Sequence, residues 1–131
     1  MAAHEQEAQQ LPYARLYADS EGESHFGNED MPLGPAEVPG APPFIASEAL
    51  STSDVMYAGF EPGYSADEHP TSARNFCLTL SGEMELTASD GETRVFTPGS
   101  VLLMEDTTGK GHAVEFPSDE LTMCALVMLS E

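Results

Sequence analysis

Short runs in which apolar and polar residues alternate fill the stretch from Asp67 to Phe116, and this pattern constrains the fold more than any other feature. A period of two is typical of half-buried β-strands, whereas an amphipathic helix needs a period near 3.6. The alternating apolar residues are Phe76, Leu78, Leu80, Met84, Leu86, Val95, Val101 and Leu103. The stretch therefore predicts a series of strands.

Turn-forming residues close each of these runs. They stand at residues 81–82 (SG), 89–91 (SDG) and 98–100 (PGS). Asp-Gly between alternating runs is a strong hairpin signal, so we expect antiparallel hairpins. His69 and His112 stand near the two ends of the stretch, so the strands carry one imidazole at each end.

The rest of the chain predicts further strands and a long extended segment. Five of the ten prolines lie within residues 31–43, and proline removes a backbone donor and restricts φ, so this segment predicts an extended arm. The other predicted elements are a frayed or helical start at 1–10, a loop at 21–30, a loop at 47–53, and strands at 13–17, 54–60 and 121–129.

Charge excludes two classes of partner. The chain of 131 residues is long enough for one domain, and it has 23 acidic residues against four lysines and arginines, a net charge of −19. Such a surface repels nucleic-acid phosphates and anionic lipid headgroups, so we expect neither nucleic acid nor a membrane as a partner. The acidity is compatible both with simple solubility and with a high-salt habitat.

Cysteine content and hydropathy predict a cytoplasmic protein. Cys77 and Cys124 each lie in an apolar run, which suits buried free thiols rather than a secreted disulfide framework. The N-terminal residues are polar, and the longest purely apolar run, 123–129, is far too short to span a bilayer.

The glycines and histidines of this stretch resemble the two motifs of the cupins, a family of small jelly-roll barrels. Asn75 stands six intervening residues before Gly82, at the place where the first cupin motif has a glutamate. His69 stands at the first histidine place of that motif and Thr71 at the second.

The second cupin motif is matched by the segment that starts at Gly99 and ends at His112. Gly99 opens the predicted strand 100–104, and His112 stands at the histidine place. Glu105 replaces the usual proline. The turn that follows is about two residues longer than the turn of the family motif. The segment 105–112 resembles a branch of small single-domain cupins.

The resemblance implies an all-β fold, a double-stranded β-helix or jelly-roll cupin barrel with an extended N-terminal arm. We expect the arm and peripheral strands in residues 1–46 and the barrel in residues 47–131, as one globular unit. We also expect a homodimer, because the arm 31–43 and the apolar pair Phe44-Ile45 need a surface to cover them and because two-fold dimers are the commonest oligomers.

The resemblance also implies a metal site. Its intact form has three histidines and a carboxylate, and here His69, Asn75 and His112 take three of the places, with Thr71 at the fourth. The implied cofactor is a divalent metal such as Fe, Zn, Ni or Mn. Threonine is a poor ligand and an amide oxygen carries no charge, so the two departures predict a strongly reduced affinity for the metal.

Further residues are expected to take part in the site. His69 and His112 are the expected catalytic residues, because imidazole titrates near neutral pH. The substrate-binding residues expected around them are Tyr57, Arg74, Cys77, Glu105 and Asp106. A second interpretation of Arg74 is that it pairs with neighbouring carboxylates at the surface.

Three functions remain open at this level. The first is an enzyme acting on a small polar molecule, of the lyase, isomerase, dehydratase or dioxygenase type, with His69 and His112 holding a metal or exchanging protons. The second is a metal-free cupin that binds a ligand without catalysis. The third is a structural cupin whose barrel is filled by side chains. One fold supports many chemistries, so the fold does not choose among them.

Overall fold

Eleven strands and no helix make up the described part of the chain, residues 9–130, in the computed structural model. The strands are β1 (Gln9–Ala18), β2 (Ser24–Ala36), β3 (Phe44–Ala46), β4 (Thr52–Phe60), β5 (Ser65–His69), β6 (Asn75–Ser81), β7 (Met84–Ala88), β8 (Thr93–Phe96), β9 (Val101–Glu105), β10 (His112–Glu115) and β11 (Thr122–Leu129). The all-β prediction is confirmed. Within residues 9–130 there is accordingly no helix that could cross a membrane.

The strands form two sheets. The seven-stranded sheet has the order β3-β2-β1-β9-β6-β11-β4, and the four-stranded sheet has the order β5-β10-β7-β8. β1 runs parallel to β9, and the other pairs in the described residues are antiparallel. The chain passes repeatedly from one sheet to the other, as in a jelly roll.

Side chains from both sheets meet in one apolar core. Its most deeply buried members are Leu16, Leu86, Leu102, Phe116 and Cys124, each no more than 2% exposed. Burying a large apolar side chain contributes about 1.5–3 kcal/mol, so this layer is the main source of stability. Alternate positions on the central strands β6, β9 and β11 point into it.

Only one of the three predicted turns closes a hairpin. Residues 89–91 join β7 to β8, which pair with each other from Met84↔Phe96 to Thr87↔Thr93. Residues 81–82 join β6 to β7, and residues 98–100 join β8 to β9, and in both cases the two strands belong to different sheets. The hairpin prediction is wrong for these two turns, because turn chemistry reverses the chain without choosing its partner.

The N-terminal segment contributes more to the sheet than the sequence predicted. The loop predicted at 21–30 is wrong, since β2 begins at Ser24 and pairs with β1 over ten residues, from Gln9↔Leu33 to Ala18↔Ser24. Glycine and acidic residues disfavour a strand locally, but pairing with β1 overrides that preference.

The proline-rich segment is partly strand. Its residues up to Ala36 belong to β2, and β3 then pairs back on Gly34–Ala36 at the edge of the sheet. Because β1 lies between β2 and β9, residues 9–36 are part of the barrel's own sheet. The division at residue 46 stays a prediction, and the frayed or helical start falls mostly on residues 1–8, outside the described residues.

Candidate functional site

The pairing of β5 with β10 brings the two histidines side by side. His69 and His112 are direct partners in the register of these strands. Their rings lie with centroids 4.8 Å apart and planes inclined by 49°. Two imidazoles that are 43 positions apart in the sequence therefore border one space.

A glycine next to His112 makes this approach possible. Gly111 has φ of +76°, a conformation that L-residues rarely adopt. A Cβ at this position would lie 2.0 Å from the carbonyl oxygen of His69. No side chain fits in that gap, so Gly111 lets the backbone before His112 pack directly on the backbone of His69 and Pro70.

A buried carboxylate orients His112. Asp106 is 0% exposed, and its Oδ1 accepts a hydrogen bond of 2.7 Å from the hydroxyl of Thr71. Its Oδ2 lies 2.6 Å from Nδ1 of His112. A carboxylate that accepts both bonds makes Nδ1 the donor, so the lone pair of neutral His112 is on Nε2.

A backbone carbonyl orients His69 in the same way. Its Nδ1 lies 2.8 Å from the carbonyl oxygen of Asp67. A carbonyl only accepts, so Nδ1 carries the proton and Nε2 keeps the lone pair. Both histidines therefore donate a hydrogen bond to the protein through Nδ1, and Nε2 of each has no hydrogen-bond partner among the described residues.

Asn75 adds a third acceptor beside the histidines. It is 4% exposed, borders the same space, and its Nδ2 donates to the carbonyl oxygen of Ala73 at 2.8 Å. This bond fixes which way the amide points, and its Oδ1 is left buried without a partner in the described residues. An unpaired buried acceptor costs about 1–3 kcal/mol, which a bound donor would relieve.

The space beside these groups is a cavity of about 280 Å³ with mainly apolar walls. Phe60 and Phe116 stack on one another with centroids 4.2 Å apart, and Tyr64 meets the Phe116 ring edge-on at 5.8 Å. The other apolar side chains that line the cavity are Met56, Ala66, Met84, Leu86, Met104, Val114, Cys124, Leu126 and Met128. The polar groups thus lie at one end of an apolar chamber.

Cys77 lines the cavity but is a poor nucleophile or ligand. Its hydrogen bond with Cys124 and its burial raise the pKa of the Cys77 thiol well above its ordinary value. Reactivity and metal binding both need the thiolate, so Cys77 serves the cavity as a small apolar wall.

Tyr57 does not take the place that the sequence predicted for it. Its side chain is 70% exposed, and the cavity is lined instead by Met56 and Phe60 on the same strand. Residues of a strand alternate between faces, so Tyr57 necessarily points away when Met56 points in. The structure thus places Tyr57, a predicted substrate-binding residue, outside the cavity.

Arg74 and Glu105 also lie outside the cavity. Nε of Arg74 is 2.5 Å from Glu105, and Nε of Arg15 is 2.6 Å from its other oxygen. Burial raises the pKa of Glu105, but the hydrogen bonds from Arg15 and Arg74 outweigh it and lower the pKa overall. Glu105 shares the outward face of β9 with Leu103. The structure thus places both predicted substrate-binding residues outside the cavity and pairs Arg74 with a carboxylate, as in its second interpretation.

The donors at the polar end make an incomplete metal site. Among residues 9–130 no group of three or more His, Cys, Asp or Glu side chains is arranged to hold a metal ion. The donors present are the Nε2 atoms of His69 and His112 with Oδ1 of Asn75, all of them neutral, while Thr71 spends its hydroxyl hydrogen on Asp106. A tight zinc or iron site needs three or four strong ligands, so we derive no chemical step through a metal.

Sequence reasoning missed several parts of the site. It assigned Thr71 only as a degenerate ligand and Asp106 only as a substrate contact, whereas together they hold His112. It also missed that Phe60 lines the cavity and stacks on Phe116. For Phe60 a signal was present, since it shares a strand face with Met56.

Comparison with solved structures identifies the architecture. The fold is similar to the Cnp3 cupin domain of Schizosaccharomyces pombe, with a TM-score of 0.50 at 9% identity, covering 100% of this chain and 89% of that one. At this level of identity the likeness shows the fold alone, and that fold is the cupin barrel.

Two further structures are similar over shorter spans. One is a cupin 2 conserved barrel domain protein from Salinispora arenicola, with a TM-score of 0.48, 24% identity and 76% of each chain covered. The other is the CENP-C cupin domain of Drosophila melanogaster, with a TM-score of 0.45, 14% identity, and 72% of this chain and 69% of that one covered. No protein-family model matches the sequence, and neither does any curated protein.

Proposed function

Because the chain has the cupin fold, we propose that it binds a small molecule inside the barrel, with the polar group of that molecule held by His69 and His112. One observation carries the proposal: the two imidazoles lie 4.8 Å apart at the polar end of an otherwise apolar cavity. Ligand sites are commonly apolar chambers with a few convergent polar groups.

The size and lining of the cavity favour a ligand with an apolar body. An apolar cavity of about 150 Å³ holds benzene, and this one, at about 280 Å³, is nearly twice as large. Its walls are mostly apolar side chains, so a uniformly polar molecule would leave groups without hydrogen bonds. The sequence predicted a small polar ligand, whereas the cavity favours a ligand with one polar end and an apolar body.

If the site is catalytic, the geometry favours proton transfer. Nε2 of His112 carries the lone pair, and buried Asp106 holds the ring by Nδ1, which is the arrangement of an oriented general base. This chemistry serves a lyase, isomerase or dehydratase, in which a proton is removed at one atom and returned at another. Binding without catalysis is the alternative form of the same proposal.

Methionine methyl NMR tests whether the cavity binds. Met56, Met84, Met104 and Met128 line it, whereas Met31 and Met123 do not, so the protein carries its own internal control. Titration with phenol should shift the cavity methyl signals and leave the other two in place. Filling the cavity by Ala66→Leu should suppress the shifts, and Ala113→Leu, outside the cavity lining, should not. Absence of cavity shifts at millimolar phenol would reject the proposal.

A divalent metal at His69, Asn75 and His112 is the competing proposal, and one observation favours it. Metal-binding histidines usually donate their second nitrogen to a carboxylate or carbonyl, as both rings do here. Bound there, a metal would act as a Lewis acid. Calorimetry with nickel separates the two: Asn75→Glu should bind more tightly than wild type by supplying a charged oxygen, and His112→Ala should abolish binding. If wild type already binds tightly, the metal-assisted form is favoured.

A further inference from the structure

We propose that the ligand is a primary amine in its ammonium form, joined to a compact apolar body. This proposal rests on the proposed function, because it names the chemical class that the cavity takes. It follows from the kind of hydrogen-bonding group that the polar end offers, from the absence of cations around it, and from the field of the protein.

At the polar end, His69, His112 and Asn75 present three lone pairs. Nδ1 of His69 and Nδ1 of His112 donate to Asp67 and Asp106, so each neutral ring offers Nε2 as an acceptor. Nδ2 of Asn75 donates to Ala73, which leaves Oδ1 as the third acceptor. A carboxylate or phosphate would meet three lone pairs here, whereas an ammonium group brings three N–H donors.

The cations that could hold an anion are engaged away from the cavity. Arg15 and Arg74 bind Glu105, Arg94 binds Glu92, and Lys110 lies 3.6 Å from Glu23. These are the four lysines and arginines of the chain, and none of them lines the cavity. An anionic ligand would therefore find no lysine or arginine to pair with in the cavity.

The field of the protein acts in the same direction. The chain carries a net charge of −19, and exposed Asp67 and Glu68 precede His69 on the strand at the mouth. Such a potential raises the local concentration of cations and lowers that of anions. Charge and hydrogen-bonding polarity thus select the same ligand class by separate routes.

Three ligands of nearly equal shape test the inference: 2-phenylethylamine, 2-phenylethanol and phenylacetate. They are titrated at pH 7 into EDTA-treated protein, followed by the same methionine methyl signals, so that no metal contributes. We expect the amine to bind at least about tenfold more tightly than phenylacetate, with the alcohol between them. The preference for the amine should weaken as salt is added.

Matched variants locate the preference at the site. Asn75→Leu should reduce amine affinity and spare the binding of toluene. Asp67→Asn should weaken the amine more than Asp119→Asn does, because both remove one exposed carboxylate and only Asp67 is near His69. If Asn75→Leu does not fold, the comparison of Asp67→Asn with Asp119→Asn still tests the preference for the amine.

The outcomes separate this inference from the proposed function. If phenylacetate binds as tightly as the amine, or if phenol and toluene bind while the amine does not, the ligand class is wrong and cavity binding stands. If phenol, toluene and all three test ligands leave the cavity methyl signals unmoved, both proposals fail. Restoration of amine binding only after a metal is added would also overturn the ammonium assignment.

Discussion

Within residues 9–130, both faces of the seven-stranded sheet carry apolar side chains, and the candidate site lies on the inner face. On the inner face, Asn75 and Cys77 of β6 meet side chains of the four-stranded sheet around a cavity. On the outer face, Phe76 and Leu103 pack with Leu129 into a cluster without a cavity. In this barrel, an apolar sheet face borders a cavity where the second sheet lies opposite it and leaves space between the two layers.

Part of the outer face is exposed, unlike the inner face, which the four-stranded sheet covers. Cross-strand rows run from Tyr57 through Ala125 to Leu78, and from Val55 through Val127 to Phe76. We call Val55, Tyr57, Leu78, Leu80 and Val127 the outer patch. Tyr57, Val55 and Leu80 are 70%, 55% and 51% exposed, so this apolar surface lacks a covering layer among the described residues.

The largest expected effect is beside the cavity, where Gly111 packs on His69, from Gly111→Ala. The new Cβ would meet the His69 carbonyl oxygen at 2.0 Å with φ at +76°, so we expect a loss of about 3 kcal/mol or more in the free energy of unfolding. Gly99→Ala is the matched control, because φ there is +94° and nothing lies within 4 Å. It should cost only about 1–2 kcal/mol. Equal losses in urea unfolding would show that backbone strain, and not the contact with His69, dominates.

The next prediction concerns the homodimer expected from the sequence. The outer patch consists of apolar residues, and Glu105, which points outward from β9 of the same sheet, is held by two arginines. Two copies can therefore meet there with little repulsion, so the patch is the interface we expect, and dimers should tighten as salt screens the remaining charge.

Light scattering in low and high salt checks this interface. Tyr57→Lys should give a monomer, while Val95→Lys, on the other sheet and 52% exposed, should leave the dimer intact. Loss of the dimer in Ile45→Lys alone would move the interface to the segment that the sequence first indicated. A wild-type monomer in both salts would remove the prediction.

A smaller effect is expected from Glu105→Gln on the outer face. Removing the carboxylate between Arg15 and Arg74 should cost about 1 kcal/mol, since both arginines are more than a third exposed and solvent screens the pair. Glu92→Gln, whose partner is Arg94, should cost less because Glu92 is more exposed.

The lowered pKa of Glu105 gives the same prediction a pH dependence. Its stabilisation is present above the unfolded pKa, about 4.3, and is lost as pH falls through the lower folded pKa. Wild type should therefore lose more stability on acidification than Glu105→Gln does. Parallel acid unfolding curves for the two proteins would contradict this account.

The smallest expected effect is at His25, on β2 of the seven-stranded sheet. Its ring contacts Asp19 at 2.7 Å and Asp90 at 2.9 Å, and the hydrogen bonds with Asp19 and then Asp90 raise its pKa. The stabilisation is fully present below the unfolded pKa, about 6.5, and is lost as pH rises through the higher folded pKa. Urea midpoints of wild type should fall slightly over that range, and those of His25→Gln should not.

Local patterns predicted much of the barrel because strand formation and turn formation depend on near neighbours. The strand predicted at 54–60 is β4, and the predicted alternation from Phe76 to Leu80 lies on β6, where the intervening residues Asn75, Cys77 and Thr79 are buried. The turn at 81–82 is also real, but the sequence placed a hairpin there. Which strand a turn leads to depends on pairings made elsewhere in the chain.

The site residues divide in the same way. Spacing placed His69, Asn75 and His112 on the cavity without any knowledge of the pairing. The same reasoning put Arg74 and Glu105 in the site because they are near it in sequence. In the structure Glu105 lies on the outward face of β9 and pairs with Arg15, which is 90 residues away from it. Distance along the chain was a poor guide to charge pairing.

Alternation over a few neighbouring positions is enough to predict the all-β class, several strands of the barrel and the residues that share a strand face. The contacts of Thr71 and Asp106 that hold His112, the formation of β2 next to β1 and the outward orientation of Tyr57 follow only from tertiary packing. Each of these outcomes depends on contacts between segments that are distant along the chain or on which side of a strand meets a second layer. The energy of such contacts belongs to the packed barrel, and no short stretch of the sequence contains it.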